Sequence, residues 1–324
     1  MGPTSLIEQA LRSLAAGAAA PRRAEVAERL AACVVAEGAP GWSGAEWAEH
    51  LREELPDAPE LPPRVEGVVL VAPHASELAL APLARVLAHL ERGERVLLAV
   101  PEEIPALMGV WKTALGEVPG CAFVQDDGLG VLRAALAHPL VASFEASGPP
   151  ARVAELAQRA PGCFTTLRNT SLVVRRGDDA EQQARVAARR AFGRVSALSG
   201  QRAGALGRVV CHERSFSRFQ AALLAALEQD ADFAQALPLL ERATRAHLLA
   251  ARSLGLDEGA TLVLHRRESG ACVFTNVDER MRLAALARCA PLLVLLRATS
   301  DEAAAALAEQ LDSDARAEDL AASA

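Results

Sequence analysis

The sequence predicts an α/β protein with a doubly wound, Rossmann-like parallel sheet, followed by a second α/β catalytic-type domain. Short apolar runs alternate with longer amphipathic stretches from Gly67 onward, which is the pattern of β-α-β units. The runs are apolar throughout instead of alternating with polar residues, as is typical of strands that are covered on both faces. These two observations predict a parallel sheet of the nucleotide-binding type.

The first half of the chain predicts a helical segment and then four strands. Apolar residues recur at helical spacing over 1–60, and a proline-rich linker follows at 56–64. Strands are predicted at 68–73, 96–100, 121–125 and 140–144, with helices at 77–91, 104–115 and 130–137.

The second half continues the alternation up to residue 311. Helices are predicted at 151–160, 180–192, 216–229, 240–254 and 300–311, and strands at 171–176, 208–211, 261–265 and 291–296. We therefore predict four parts: an N-terminal helical segment at 1–60, a nucleotide-binding-type domain at 61–195, a catalytic-type domain at 196–311 and a disordered tail at 312–324.

The composition and the charge indicate which kinds of partner and which cellular compartment to expect. The 324 residues carry a net charge of −7, and no basic stripe stands out, so nucleic acid is not an expected partner. The longest apolar runs fall well short of the ~20 residues that span a membrane, so no membrane association is expected. The six cysteines form no CxxC pair or zinc-like pattern, which indicates reduced thiols, no metal site and a cytoplasmic protein.

Six short segments follow one another along the chain: VAPHAS at 71–76, VPEE at 100–103, FEAS at 144–147, TLRNT at 166–170, GQRAGALGR at 200–208 and ARCAP at 287–291. Their order and spacing over 67–311 resemble the aldehyde dehydrogenase superfamily. The resemblance implies an NAD(P)-binding domain and a thiolate mechanism. In that mechanism a cysteine attacks an aldehyde, hydride leaves to the nicotinamide, and water hydrolyses the thioester. The chain also ends after the helix at 300–311, so it resembles a shortened member.

The resemblance implies that the catalytic positions have lost their chemistry. Ala203 stands where the family has its nucleophilic cysteine, and it has no reactive atom. Thr166 replaces the glutamate that activates water, and Ala75 replaces the asparagine that donates to the oxyanion. No catalytic residue is therefore expected.

The cofactor positions are degenerate as well, and we expect no cofactor, or NAD(P) if any. Glu103 and Ser147 are the two family-like cofactor residues that remain, as vestigial contacts. The other positions have changed to Val100, Ala146, Pro149, Pro150 and Ala287. Proline at the start of the helix after FEAS removes an N–H that would face a phosphate.

Other polar residues leave alternatives open. Arg168 and Asn169 replace two glycines of the family motif, so they fill the cleft, or Arg168 contacts an anion. His74 is a solvated turn residue or a substitute oxyanion donor, and His212 is expected on the surface. The DDGLG stretch at 126–130 is a plain turn or part of a phosphate loop.

Three cysteines are candidates for a replacement nucleophile. Cys163 precedes the TLRNT segment, but no base is visible nearby. Cys211 lies in an apolar strand, and Cys289 lies in the ARCAP segment, so both are expected to serve packing.

The sequence favours a catalytically inactive relative that acts as a structural or regulatory subunit. An active aldehyde dehydrogenase-like enzyme or a neighbouring pathway enzyme is the expected partner. Two alternatives remain at this stage. One is a nucleotide or acyl-ligand binding module that uses the cofactor and substrate cleft implied by the resemblance. The other is an NAD(P)-dependent oxidoreductase with relocated catalytic residues.

Overall fold

A computed structural model describes residues 2–14, 19–33, 41–125, 130–286 and 289–313. The chain divides into two compact units. Unit 1 comprises Met1–Gly148 with Arg152–Thr166, and unit 2 comprises Pro149–Ala151 with Leu167–Ala324.

Unit 1 is built on a five-stranded sheet with the order β3-β2-β1-β4-β5, in which every neighbouring pair is parallel. The apolar strands β1 and β2 occupy the middle and are buried almost throughout, because helices cover both faces. The strand order reverses between β1 and β4, which makes this the topological switch point. The strands are β1 (Val68–Ala72), β2 (Arg95–Val100), β3 (Cys121–Gln125), β4 (Val141–Gly148) and β5 (Cys163–Thr166).

Seven helices belong wholly or mainly to unit 1: α1 (Pro3–Arg12), α2 (Arg23–Ala31), α3 (Gly44–Leu51), α4 (Leu80–Glu91), α5 (Ala106–Leu115), α6 (Gly130–Leu136) and α7 (Pro150–Ala157). The helical character predicted for 1–60 is found in α1, α2 and α3. Ile7 and Leu11 of α1 lie in the same buried apolar cluster as strand residues Leu70 and Leu97. Helix α1 therefore packs as part of unit 1.

Unit 2 contains a second five-stranded sheet, with the order β6-β7-β10-β9-β8. Strand β8 is antiparallel to β9, and the other pairs are parallel. The strands are β6 (Thr170–Val174), β7 (Leu206–His212), β8 (Thr261–His265), β9 (Cys272–Val277) and β10 (Leu292–Ala298).

Helices cover both faces of this sheet. Helices α8 and α10 contribute to one buried apolar cluster, and α12 and α14 contribute to another. Central strands supply both clusters, with Leu293 and Leu295 on one side and Val294 and Leu296 on the other. The helices are α8 (Ala180–Phe192), α9 (Arg194–Ala197), α10 (Glu213–Gln229), α11 (Ala231–Ala234), α12 (Arg242–Asp257), α13 (Arg282–Ala285) and α14 (Asp301–Ser313).

The predicted fold class is confirmed, but the domain boundary differs from the predicted one. Residues 167–195 belong to unit 2 and not to the first domain. The physical reason is that β6 pairs with β7 and that α8 packs against α10, so this segment completes the second sheet. Strands β5 and β9 were not predicted. The tail was predicted from 312, but α14 ends at Ser313, and residues 314–324 lie outside the described part.

No helix among the described residues combines the length and apolarity that a membrane crossing requires.

Candidate functional site

The carboxyl ends of β1 and β4 form the place in unit 1 where an open α/β sheet ordinarily binds its ligand. The chain leaves β1 at Ala72 and makes a short 3-10 turn over Ala75–Glu77 before α4 begins. His74 caps this turn, because its Nδ1 accepts the N–H of Ser76 at 3.2 Å. Ala75 is buried and presents only a methyl group, so its side chain offers no donor to a ligand.

Ser147, a predicted vestigial cofactor residue, is occupied by contacts within its own unit. It lies near the end of β4 and is 0% exposed. Its Oγ accepts the backbone N–H of His74 at 3.1 Å and donates to the Glu77 carboxylate. Neighbouring Ala146 is also buried. The hydroxyl therefore holds the β1 and β4 ends together instead of facing an open crevice.

Glu77 is fixed from a second direction by Arg85 of α4. The two guanidinium nitrogens of Arg85 donate to the two carboxylate oxygens, each at 2.8 Å. Burial alone would lower the pKa of Arg85, but the Glu77 carboxylate outweighs it and raises that pKa. This bidentate ion pair holds the buried Glu77 carboxylate at the switch point.

His74 was expected as a solvated turn residue, and that expectation is wrong. The residue is 8% exposed, and its Nδ1 lies 2.7 Å from Ser76 Oγ. The physical reason is that the turn folds back over the sheet end, so the imidazole caps it from inside.

A second buried polar group lies beside the first, around His89 of α4. Its Nδ1 lies 2.7 Å from a Glu94 oxygen, and its Nε2 lies 3.0 Å from a Glu145 oxygen of β4. Burial alone would lower the pKa of His89, but the two carboxylates outweigh it and raise that pKa. This group was not predicted from the sequence, although a histidine on the apolar face of a predicted helix was a visible signal.

The residues at this sheet end do not fit a dinucleotide phosphate. The serine hydroxyl is bonded to Glu77, the Glu77 carboxylate is held in turn by Arg85, and α7 begins at Pro150, which has no N–H. Val100 is buried at the end of β2. Glu103 is half-buried in the turn between β2 and α5.

In unit 2, the GQRAGALGR loop is fixed by its first two residues. Gly200 has φ +90°, and a Cβ there would lie 2.6 Å from Pro291 Cα. The Gln201 side chain accepts the N–H of Leu240 at 2.7 Å and donates to the carbonyl of Pro238 at 3.0 Å. Both residues join this loop to the 237–240 segment or to the start of β10. Their packing role requires no chemistry at Ala203.

Ala203 lies half-buried in a turn after this anchored pair. Ser199, just before it, accepts the N–H of Leu237 through its hydroxyl at 3.0 Å. The serine hydroxyl nearest Ala203 in sequence is thus used to hold the loop. Thr166, the position that resembles the family's general base, is half-buried at the end of β5 in unit 1.

Arg208, the last residue of the loop motif, is a buried anchor that was not predicted from the sequence. It lies in β7 and is 1% exposed. Its guanidinium donates to the Leu286 carbonyl at 3.1 Å and to Asp312 at 3.0 Å. Burial lowers the pKa of Arg208, and Asp312 opposes that effect. A single charged residue inside an apolar strand was the signal for such an anchor.

Asn169 fills space where the family motif has a glycine, and this supports the filled-cleft interpretation. It is buried, and a Cβ on Gly207 would lie 1.9 Å from its Nδ2, so side chain and strand are in close contact. Arg168 is half-buried, and its carbonyl accepts the Gly204 N–H at 2.9 Å. Burial is the main cause that lowers the pKa of Arg208, and the charge of Arg168 adds to it. An anion contact at Arg168 remains a prediction.

The candidate cysteines differ in environment. Cys163 is exposed at the start of β5. Cys211 is buried in β7, where burial raises its pKa to about 12, so it is a packing residue as predicted. Cys289 is also buried.

His212 was expected on the surface, but it is buried because it caps α10 and accepts the N–H of Arg214 at 3.1 Å.

Two predictions lie outside the described residues. They are the Ala287 position and most of the DDGLG stretch, residues 126–129. Among the residues that are described, no group of three or more histidine, cysteine or acidic side chains is arranged to hold a metal ion.

Comparison with known proteins shows which family the chain is similar to. Residues 168–314 match the model of the aldehyde dehydrogenase family. No curated protein sequence matches the chain. Many solved structures share its fold, at identities that show the fold alone.

One of these is an NAD-dependent benzaldehyde dehydrogenase from Corynebacterium glutamicum. It is 19% identical with a TM-score of 0.61, over 94% of this chain and 71% of that chain. A succinate-semialdehyde dehydrogenase from Burkholderia pseudomallei is 20% identical with a TM-score of 0.69, over 95% and 75%.

A third is a mutant of aldehyde dehydrogenase C from Pseudomonas syringae in complex with NAD+ and octanal. It is 18% identical with a TM-score of 0.68, over 94% and 73%. The family model therefore matches most of unit 2, and the solved structures show that the fold of the chain is similar to that of aldehyde dehydrogenases.

Proposed function

We propose that this chain is a catalytically inactive member of the superfamily, acting as a structural or regulatory subunit. The observation that carries the proposal is the state of the switch point in unit 1. There, Ser147 and Glu77 are bonded to each other and the Arg85 fork closes the group. A dinucleotide phosphate would have to displace a buried ion pair, and removing one partner of such a pair typically costs about 3–5 kcal/mol.

The catalytic positions support the same proposal. Ala203 supplies no thiolate, and Thr166 supplies a hydroxyl that is no base near neutral pH. Ala75 supplies a buried methyl group where a donor would be needed. Each loss alone would slow the reaction of the family, but without a nucleophile the covalent route has no first step.

The preserved loop supports a structural role. Gly200 and Gln201 serve packing and hydrogen bonding in unit 2, independently of any reaction. A chain that keeps the scaffold without the chemistry fits a protein that works through a partner. We propose that the partner is an active aldehyde dehydrogenase-like enzyme or a neighbouring pathway enzyme.

Activity of the purified chain tests the proposal. We expect no NAD- or NADP-dependent oxidation of short or aromatic aldehydes, by absorbance at the reduced nicotinamide band. The Ala203→Cys variant should remain inactive, because a thiol at 203 restores neither the base nor an open cofactor crevice. Turnover by the unmodified chain would contradict the proposal. If Cys163→Ser then abolished that turnover, the chemistry would have been relocated to the exposed Cys163.

The regulatory role has its own test. The tagged chain is captured from cells of its source, and the captured fraction is assayed for aldehyde oxidation beside the recombinant chain alone. We expect activity only in the captured fraction, carried by a second polypeptide that mass spectrometry identifies. A captured fraction that contains this chain by itself would count against a partner enzyme.

A further inference from the structure

Unit 2 contains a pocket of about 430 Å³ that belongs neither to the GQRAGALGR loop nor to the Arg208 anchor. It lies between helix α12 and the segment from the end of β8 to the start of β9. Its volume falls in the range of about 300–1,000 Å³ that small-ligand sites occupy.

One wall of the pocket is a stripe on α12. Arg245, Leu248, Leu249 and Arg252 line it and recur at spacings of three, one and three residues, which places them on one helix face. Leu248 is buried and belongs to the apolar core, whereas Leu249 is 53% exposed. The helix therefore places two arginines beside an apolar pair, of which Leu248 is buried and Leu249 is exposed to solvent.

The facing wall adds a third cation and more apolar surface. His265 ends β8, Arg267 follows it, and Cys272 begins β9. Cys272 is buried, and burial raises its pKa to about 11, so its thiol contributes apolar surface and no charge.

The pocket carries an excess of positive charge. Within the described part of the chain, none of the guanidinium groups of Arg245, Arg252 and Arg267 lies within 4 Å of a carboxylate. Glu268 is the one acidic side chain among the lining residues, so three cations face one anion. Arg245 and Arg267 are exposed and Arg252 is half-buried, so solvent screens part of their mutual repulsion, and an anion between them would relieve the rest.

The pKa of His265 reflects the same positive charge. Its pKa is lowered by burial and by the charges of Arg252 and Arg267. The neutral ring can then accept a hydrogen from Arg252, whose Nη1 lies 3.5 Å from its Nε2. This contact joins Arg252 of α12 to the end of β8.

We propose that this pocket binds a small organic anion that carries an apolar portion. The headgroup, a phosphate monoester or a carboxylate, would lie between Arg245, Arg252 and Arg267. Bidentate pairing with guanidinium suits both headgroups. The hydrocarbon portion would lie on Leu248 and Leu249. The inference does not depend on the proposed lack of catalysis, because the pocket is separate from the family's loop motif.

Isothermal titration calorimetry with octyl phosphate and with octanoate tests the proposal. We expect saturable one-site binding of at least one probe, weakened as salt rises. Arg252→Gln and Arg245→Gln should each weaken it about tenfold or more, as expected when a charge-assisted hydrogen bond is lost. Arg280→Gln is the matched control, since it removes the same charge from an exposed loop of unit 2 outside the pocket. It should leave affinity unchanged.

The two probes also separate the headgroups, because the tighter of the two identifies phosphate or carboxylate as the natural chemistry. The proposal would be overturned if neither probe bound saturably, or if the uncharged octyl glucoside bound as tightly as the charged probes. It would also be overturned if the pocket variants bound the probes like Arg280→Gln. Circular dichroism of each variant checks folding, and Arg245, which is exposed, decides the matter if the Arg252 variant fails to fold.

Discussion

Replacing Gly200 with alanine tests whether the GQRAGALGR loop is held by packing. Gly200 has φ +90°, a conformation that costs an ordinary residue about 1–2 kcal/mol. A Cβ there would lie 2.6 Å from Pro291 Cα and 3.0 Å from the carbonyls of Ala191 and Ala290. These atoms are backbone and cannot rotate away, so overpacking adds about 1–3 kcal/mol. We expect a total loss of about 2–5 kcal/mol in the free energy of unfolding.

Gly204 provides the matched control within the same loop. It also has a positive φ, +79°, but nothing lies within 4 Å of a Cβ built there. Gly204→Ala should therefore cost the conformational part alone, about 1–2 kcal/mol.

The assay is urea unfolding followed by far-UV circular dichroism, because all three tryptophans lie in the first 111 residues and report on unit 1. We expect Gly200→Ala to lower the midpoint clearly more than Gly204→Ala does. Equal losses in the two variants would refute the reasoning that tight contacts around Gly200 hold the loop.

Three further predictions concern buried polar groups. Gln201→Ala should lower the free energy of unfolding by about 1–3 kcal/mol in urea melts, because the Leu240 N–H loses its acceptor; an unchanged midpoint would contradict this. Arg208→Met should cost about 2–5 kcal/mol by the same measurement, since the Leu286 carbonyl and a second carbonyl lose their donor; a cost below about 1 kcal/mol would be inconsistent with a buried anchor. The pKa of His89 is raised, so its stabilisation should be complete below about pH 6.5 and lost as pH rises through the folded-state pKa. Urea melts of the unmodified chain and His89→Gln from about pH 5.5 to 8.5 should therefore converge at high pH, and a constant difference would exclude this role.

Much of the fold could be predicted because its main strands are continuous apolar runs. The runs at 68–73 and 96–100 correspond to β1 and β2, and the predicted helix at 180–192 coincides with α8. Strand β5, with the sequence CFTT, was missed because it is short, polar and half-exposed at a sheet edge. Strand β9 was missed because it lies between turns and its residues mix polar and apolar types.

The domain boundary and the histidines show where sequence patterns stop being informative. Alternating elements do not reveal which strand joins which sheet, so β6 was assigned to the wrong unit. His74 and His212 both stand in polar stretches that suggest exposure. Each instead caps the turn or helix that follows, and its ring is buried by that local geometry.

The contacts of the candidate site could not be predicted from the sequence. The resemblance alone predicts that Ala203 stands at the nucleophile position, and that remains a prediction. The Ser147–Glu77–Arg85 group could not be predicted from the sequence. Ser147 and Glu77 are 70 positions apart in the chain, and Arg85 reaches Glu77 from a different element, helix α4. The resemblance predicts which positions have changed, whereas the structure shows which contacts Ser147, Glu77 and Arg85 make.

Binding of nicotinamide dinucleotides directly tests whether unit 1 still accepts a cofactor. Thermal unfolding is followed with and without millimolar NAD, NADH, NADP and NADPH. A ligand at 100 times its dissociation constant adds about 2.7 kcal/mol, which shifts the melting temperature of a chain of this length by a few degrees. We predict no shift with any of the four, because in our proposal the bonded side chains of Ser147 and Glu77 leave no place for a dinucleotide phosphate. A saturable shift with one dinucleotide would contradict the account.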